Sequence, residues 1–301
     1  MRKSLVATLA AAVVAVLSAG PATPASASVS CFGSGGNASI LFYRVDSGSA
    51  VTGTLSGGDW ESNGEFHLPR GYTHAAASHD SLLLYNKITG AAEVGTFSYG
   101  EYARTRTYAD FPKGWTQVEA SGDSVIFYNA PTGRAVTGTL RDGKYQQVHT
   151  YDNFNKGWVA MAVSCDTLLA EARPGSATFS WDGSEYGKLE GGAYSHTSSL
   201  FLGEEKHLGQ LTATRDSVLS WAKAEGKLAL RAGEAANGWI SQFGGVGTVP
   251  LWEKVGRTAD SLIFYNSDGT ASTATLVDGD YKNVGPLDGI SPGWTLIEGG
   301  V

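Results

Sequence analysis

Long apolar runs, cysteine, methionine and basic clusters are all scarce in this chain. The 301 residues include two cysteines, two methionines, nine prolines and six histidines. The one sustained apolar run, Leu5 to Leu17, follows Met1-Arg2-Lys3 and leads through Pro21 and Pro24 to Ala25-Ser26-Ala27. It falls short of the ~20 residues a membrane-spanning helix needs. A basic start, a short apolar core and an A-x-A site are the parts of a secretory signal peptide. Residues 1–27 are therefore read as a removed signal, and 28–301 as one mature domain, secreted, extracellular and not attached to a membrane. A lipid anchor at Cys31 would want a leucine within Ser28-Val29-Ser30, and there is none.

Lysine and arginine total 22 against 29 acidic residues, a formal net charge of −7 that becomes −9 without Arg2 and Lys3. Nucleic acids and anionic membranes select Lys/Arg clusters, so both are excluded as partners. The two cysteines, Cys31 and Cys165, form an even pair. Outside the cell such a pair is usually a disulfide, the alternative being a reactive thiol.

Motifs of chemistry are also missing. No D-x-D-x-D-G calcium loop, H-E-x-x-H zinc site, G-x-S-x-G elbow or S-x-D-x-G-x-T-W box occurs. His67, His74, His79, His149, His196 and His207 are scattered singles. Glu93, Glu101, Glu119, Glu171, Glu185, Glu190 and Glu298 offer no preferred pair for glycoside hydrolysis, and each is expected on the solvated surface. No catalytic residue, cofactor or metal is assigned.

What the chain has is glycine, 40 residues of it, and repetition. The unit is clearest at Asp80-Ser81-Leu82-Leu83-Leu84-Tyr85-Asn86, then Thr89-Gly90, Gly95-Thr96-Phe97, Gly100-Glu101-Tyr102 and Gly114-Trp115-Thr116. It returns at Asp123-Ser124-Val125-Ile126-Phe127-Tyr128-Asn129 and at Asp260-Ser261-Leu262-Ile263-Phe264-Tyr265-Asn266, and more weakly elsewhere. The six starts fall near 38, 80, 123, 166, 216 and 260. No long helical period competes: Ala222 to Ala236 is rich in helix formers, but Gly226 and Gly233 interrupt it.

Each unit fits four short strands: an apolar run, a Gly-Thr-Leu strand, a strand carrying tyrosine, and a strand opened by Gly-Trp-Thr. Asn, Asp and Gly supply the positive φ of the hairpins. Four strands every 42 to 50 residues predicts an all-β fold, a β-propeller of about six four-stranded blades. The C-terminal strand would complete the blade begun by the N-terminal strand and close the ring. An open stack of small sheets, or two three-bladed parts, are the alternatives.

The Asp-Ser-Leu-Leu-Leu-Tyr-Asn, Thr-Gly and Gly-Trp-Thr pattern resembles secreted actinobacterial propeller-repeat proteins and, more loosely, tachylectin-type lectin β-propellers. The latter resemblance implies similar sugar pockets in every blade and binding of an N-acetyl sugar.

The candidate ligand-binding residues are the repeated aromatics and amides: Tyr43, Tyr85, Tyr128 and Tyr265, with Asn86, Asn129 and Asn266, and Trp115, Trp158 and Trp294. Aromatic faces stack on sugar rings and amides orient hydroxyls. The same residues could instead be demanded by the blade itself, tryptophan packing between blades and asparagine closing turns. Two stretches leave the repeat, 187–208 and 237–252, with Tyr194-Ser195-His196, Glu204-Glu205-Lys206, Trp239 and Pro250-Leu251-Trp252. Three functions fit: a multivalent, non-enzymatic glycan-binding protein, a protein-interaction scaffold acting through the irregular stretches, or a glycosidase or lyase. A monomer is expected.

Overall fold

The computed structural model describes residues 37–172, 183–201, 210–241 and 244–301. Their strands form six small antiparallel sheets. The second strands carry the apolar runs: Ser39–Tyr43, Ser81–Tyr85 and Ser261–Tyr265 are buried at every position. Successive side chains on a strand point to opposite faces. Leu41 and Tyr43 therefore pack on Leu82 and Leu84, while Ile40 and Phe42 pack on Ile263 and Tyr265. One run thus feeds two separate inter-blade cores, which forces the sheets to stack face to face. Each fully buried Leu, Ile or Phe is worth about 1.5–3 kcal/mol.

The sheets close into a six-bladed β-propeller. The inner strands are Leu296–Gly299, His74–Ala77, Gln117–Ser121, Trp158–Ser164, Gln210–Ala213 and Lys254–Arg257, in that order round the axis. Leu296–Gly299 pairs antiparallel with Ser39–Tyr43, with Leu41 opposite Glu298. The C-terminal strand therefore completes the first blade, as the repeat register predicts. Each Gly-Trp-Thr segment crosses from one blade to the inner strand of the next. Outer strands such as Glu101–Tyr108 and Lys144–Tyr151 are mostly exposed. Arg104, Arg106, Lys144, Gln146 and Gln147 on them blunt the free edges.

The glycine of the Gly-Thr-Leu motif has a steric cause. A bulge between Thr137 and Gly138 brings the Tyr145 ring over Gly138, where a Cβ would lie 2.7 Å from that ring. The same aromatic-over-glycine contact recurs at Gly95 with Tyr102.

The repeated Asp-Ser/Thr pairs are latches between blades. Asp142 and Gly143 form a tight turn with φ of 52° and 64°. The Asp142 N–H donates to Asp80 (3.0 Å), and the Gly143 N–H donates to Ser81 Oγ (2.8 Å). Asp123-Ser124 holds Gly191-Gly192 in the same way, Asp166-Thr167 holds Asn237-Gly238, Asp216-Ser217 holds Asp278-Gly279, and Asp260-Ser261 holds Gly57-Gly58. In the first blade Ala38 replaces the aspartate, and Ser39 Oγ alone accepts from Gly100.

The fifth blade departs from the pattern. Its second strand, Ser217–Ala224, has eight residues where Ser81–Tyr85 has five. Its outer position is shared by Trp239–Ile240 and Gly244–Val249, both paired to Lys227–Ala236.

Candidate functional site

The repeated tyrosines are fully buried, and each hydroxyl ties down the loop that leads to the next blade. Tyr43 donates to Pro69 O (2.7 Å), Tyr85 to Pro112 O (2.8 Å), Tyr128 to Asn155 O (2.6 Å) and Tyr265 to Ser291 O (3.1 Å). The Tyr128 and Tyr265 hydroxyls also accept from the N–H groups of Trp158 and Trp294, each at 3.1 Å. Burial pushes the Tyr128 hydroxyl up to about 12. Trp115, Trp158 and Trp294 are buried beside them. Asn86 Oδ1 accepts from Ile88 and Thr89, and Asn129 Oδ1 from Thr132, closing their turns. These rings have their faces filled by neighbouring side chains.

Asn266 is placed differently. Its Oδ1 accepts from the N–H of Glu253 (3.1 Å), on the loop that enters the sixth blade. It stands at a cavity of 790 Å³ between the fifth and sixth blades, with Gln210, Trp221, Trp252, Glu253, Ser267 and Asp268. The cavity follows from the drift of the fifth repeat. Trp221 occupies the tyrosine position and has no hydroxyl with which to tie a loop. The hairpin continues instead to a turn at Glu225-Gly226, and 251–253 passes to one side. Trp252 is half-buried, its ring centroid 6.2 Å from that of Phe264. Glu253 accepts from the Ser267 hydroxyl (3.0 Å) and N–H (3.1 Å). Thr270 donates to Asp268 through its hydroxyl and its N–H, holding that carboxyl below the usual range.

A second cavity, 340 Å³, lies at the axis and adjoins the first through Gln210 and Trp221. Its other walls include Gln117, Glu119, Val159, Met161 and Lys254. Beneath it the Arg257 guanidinium crosses the channel. It donates to Val163 O (2.9 Å), Ala120 O (3.0 Å) and Ala213 O (3.3 Å), and to the carboxylates of Glu119 (3.2 Å) and Glu298 (3.3 Å). Gly299, Ala77, Ala120, Val163 and Ala213 hold the equivalent ring positions, four of them glycine or alanine. Small residues there leave room for one long side chain. Burial pushes Glu119 up to about 8 and raises Glu298, with Arg257 opposing both shifts.

The glutamates correct the expectation of a solvated surface. Glu93 is wholly buried and accepts from the hydroxyls of Tyr72 (2.7 Å) and Tyr102 (2.9 Å). Glu185 accepts from Asn155 (2.8 Å) and Tyr194 (3.1 Å), and Glu171 is also buried. Glu101 is exposed, as expected. The signal for the channel pair was a shared place in the repeat, four residues after Trp115 and after Trp294.

Of the irregular stretches, 237–252 supplies Leu251 and Trp252 to the large cavity and Trp239 to the surface. Glu204-Glu205-Lys206 lies outside the described residues, as do residues 1–27 and Cys31. Cys165 is buried at the turn between the inner and second strands of the fourth blade.

No family model and no curated protein matches this sequence. Solved structures do share its fold. A Lactobacillus plantarum protein superposes with a TM-score of 0.51 at 12% identity, over 87% of this chain and 98% of that one. A functionally unknown Desulfotomaculum acetoxidans protein gives 0.52 at 10% identity, over 86% and 85%. A chain of a nidogen/laminin complex gives 0.52 at 8%, over 86% and 97%. At these identities the likeness covers the propeller architecture alone, and one such architecture hosts many functions.

Proposed function

We propose that the protein is a secreted, non-enzymatic carbohydrate-binding protein whose main site is the trough between the fifth and sixth blades. The observation that carries this reading is the pairing of Trp221 and Trp252 with Gln210, Glu253, Asn266, Ser267 and Asp268 round one cavity. Indole faces favour the apolar side of a pyranose, while amide and carboxylate oxygens accept from its hydroxyls. The 790 Å³ volume lies within the ~300–1,000 Å³ usual for ligand sites. A non-catalytic role fits the channel carboxylates, since Glu119 and Glu298 are both engaged by Arg257. Export rests on the first 27 residues. A glycan array read with the mature protein and with Trp252→Ala tests the reading. Binding that the substitution weakens at least tenfold supports it, and a blank array overturns it.

A further inference from the structure

Tyr102, Tyr145, Tyr194 and Tyr281 hold the same place on the outer strands of four blades, but their surroundings differ. Glu93 stands opposite Leu84 in the second blade, and Glu185 opposite Ala170 in the fourth. Val136 takes that position in the third blade, opposite Phe127, and Ser272 in the sixth, opposite Phe264. Where the glutamate is present, its carboxylate accepts from the tyrosine: Tyr102 donates to Glu93 (2.9 Å) and Tyr194 to Glu185 (3.1 Å). Tyr72, on the segment that enters the second blade, also donates to Glu93 (2.7 Å). Where the glutamate is replaced, a cleft lies beside the tyrosine. It measures 320 Å³ between the second and third blades and 610 Å³ between the fifth and sixth.

The cleft between the second and third blades is walled by Tyr108, Phe111, Trp115, Phe127, Val136 and Tyr145. Gly114-Trp115-Thr116 matches Gly71-Tyr72-Thr73, so Trp115 stands where Tyr72 does one blade earlier. The donors remain while the acceptor is gone: Trp115 Nε1 and the Tyr108 hydroxyl are buried without a hydrogen-bond partner. Burial pushes the Tyr145 hydroxyl up, which keeps it a donor. A buried donor left unpaired costs free energy that a ligand acceptor recovers. The Arg106 guanidinium lies 5.1 Å from the centre of the Tyr108 ring, and that of Arg134 5.8 Å from Trp115. Against these two cations stand Asp110, exposed on the cleft wall, and Asp152, 3.7 Å from Arg134. We propose that this cleft binds a small monocarboxylate with an aromatic body. Its carboxylate lies beside Val136, in the place that the Glu93 carboxylate fills in the second blade, and its ring lies against Phe111 and Phe127. The arginines draw the anion in. The site shares no residue with the trough between the fifth and sixth blades and does not depend on the carbohydrate reading.

The test titrates the mature protein with phenylacetate and, separately, with phenylacetamide, reading the assigned Trp115 indole N–H resonance by NMR. That proton reports on this cleft alone. Phenylacetate is expected to move it downfield in a saturable way, as a new hydrogen bond to a carboxylate does. Phenylacetamide is expected to bind at least tenfold more weakly. Val136→Glu returns the carboxylate from within the chain, so the resonance should sit downfield before any ligand is added and should not respond to it. Tyr145→Phe removes one donor and keeps the shape, and should weaken phenylacetate about tenfold, the worth of one charge-assisted hydrogen bond. Thermal melting checks that both variants are folded, and Tyr145→Phe decides the matter if Val136→Glu is not. No response of Trp115 to millimolar phenylacetate would overturn the proposal. Equal binding of the amide, or undiminished binding by folded Val136→Glu or by Tyr145→Phe, would do so too.

Discussion

Ser81 Oγ accepts from the Gly143 N–H at 2.8 Å across a blade boundary and donates at 2.6 Å to Asp80, its own neighbour. Asp80 in turn receives the Asp142 N–H, so two adjacent side chains saturate one turn of the next blade. Repeated round the ring, this contact explains why Asp-Ser recurs. Hydrogen bonds to charged groups contribute about 1.5–3 kcal/mol. Asp80→Ala is expected to cost stability in that range, measured by urea unfolding. Ala38→Asp, which supplies the carboxylate the first blade lacks, is expected to raise the midpoint.

Tyr128 separates the binding and scaffold readings of the repeated aromatics. Its hydroxyl donates to Asn155 O and accepts from the Trp158 N–H, while its ring is buried. Tyr128→Phe removes both bonds and leaves the Trp158 N–H without this partner. A loss of about 1–3 kcal/mol in unfolding free energy is expected. Glycan-array binding should remain at the wild-type level, since the residue lies far round the ring from the trough.

Stability should depend on pH through the channel. Glu119 is raised from 4.5 to about 8, and Glu298 is raised too, chiefly by burial. Between those values the folded chain holds protons that the unfolded chain releases. The resulting stabilisation is full below about 4.5 and is lost as pH rises through about 8. Melting temperatures measured from pH 5 to 9 should fall across this window, and Glu119→Gln should flatten the slope. Arg257→Met leaves two half-buried carboxylates without their shared cation and should lower stability at pH 8.

The cysteine pair is open to direct measurement. Peptide mapping without reductant is expected to recover Cys31 linked to Cys165. Cys165→Ser should then lower stability by about 2–5 kcal/mol, as removal of a native disulfide usually does. Two separate alkylatable thiols in the purified protein would refute the pairing.

The architecture was legible because its cause is local and repeated. A five-residue apolar run must be buried on both faces, and each Asp-Gly or Asn-Gly fixes a hairpin. Six such units with near-constant spacing leave few ways to bury the runs other than a closed ring. Even the closure by Leu296–Gly299 could be read from the register. The latch was half visible: Asp80-Ser81 is conspicuous, but its partner Gly143 lies a blade away and carries no side chain to signal the contact.

The candidate site was less legible for the opposite reason. Repetition drew attention to Tyr85, Tyr128 and Trp115, which recur because every blade needs the same tether and the same packing. The trough arises where the repeat fails, at Trp221 and in the path of 251–253, and drift in a sequence does not say whether it opens a space or fills one. The sequence by itself determined the strands, the turns, the blade count and the closure, since these follow from patterning and turn chemistry within each unit. Only the tertiary structure decided which glutamates are buried, that Arg257 occupies the gap left by small residues on neighbouring inner strands, and that Trp221 and Trp252 line one cavity between two blades. Those relations join residues in different blades, and the ring geometry alone sets the distances between them.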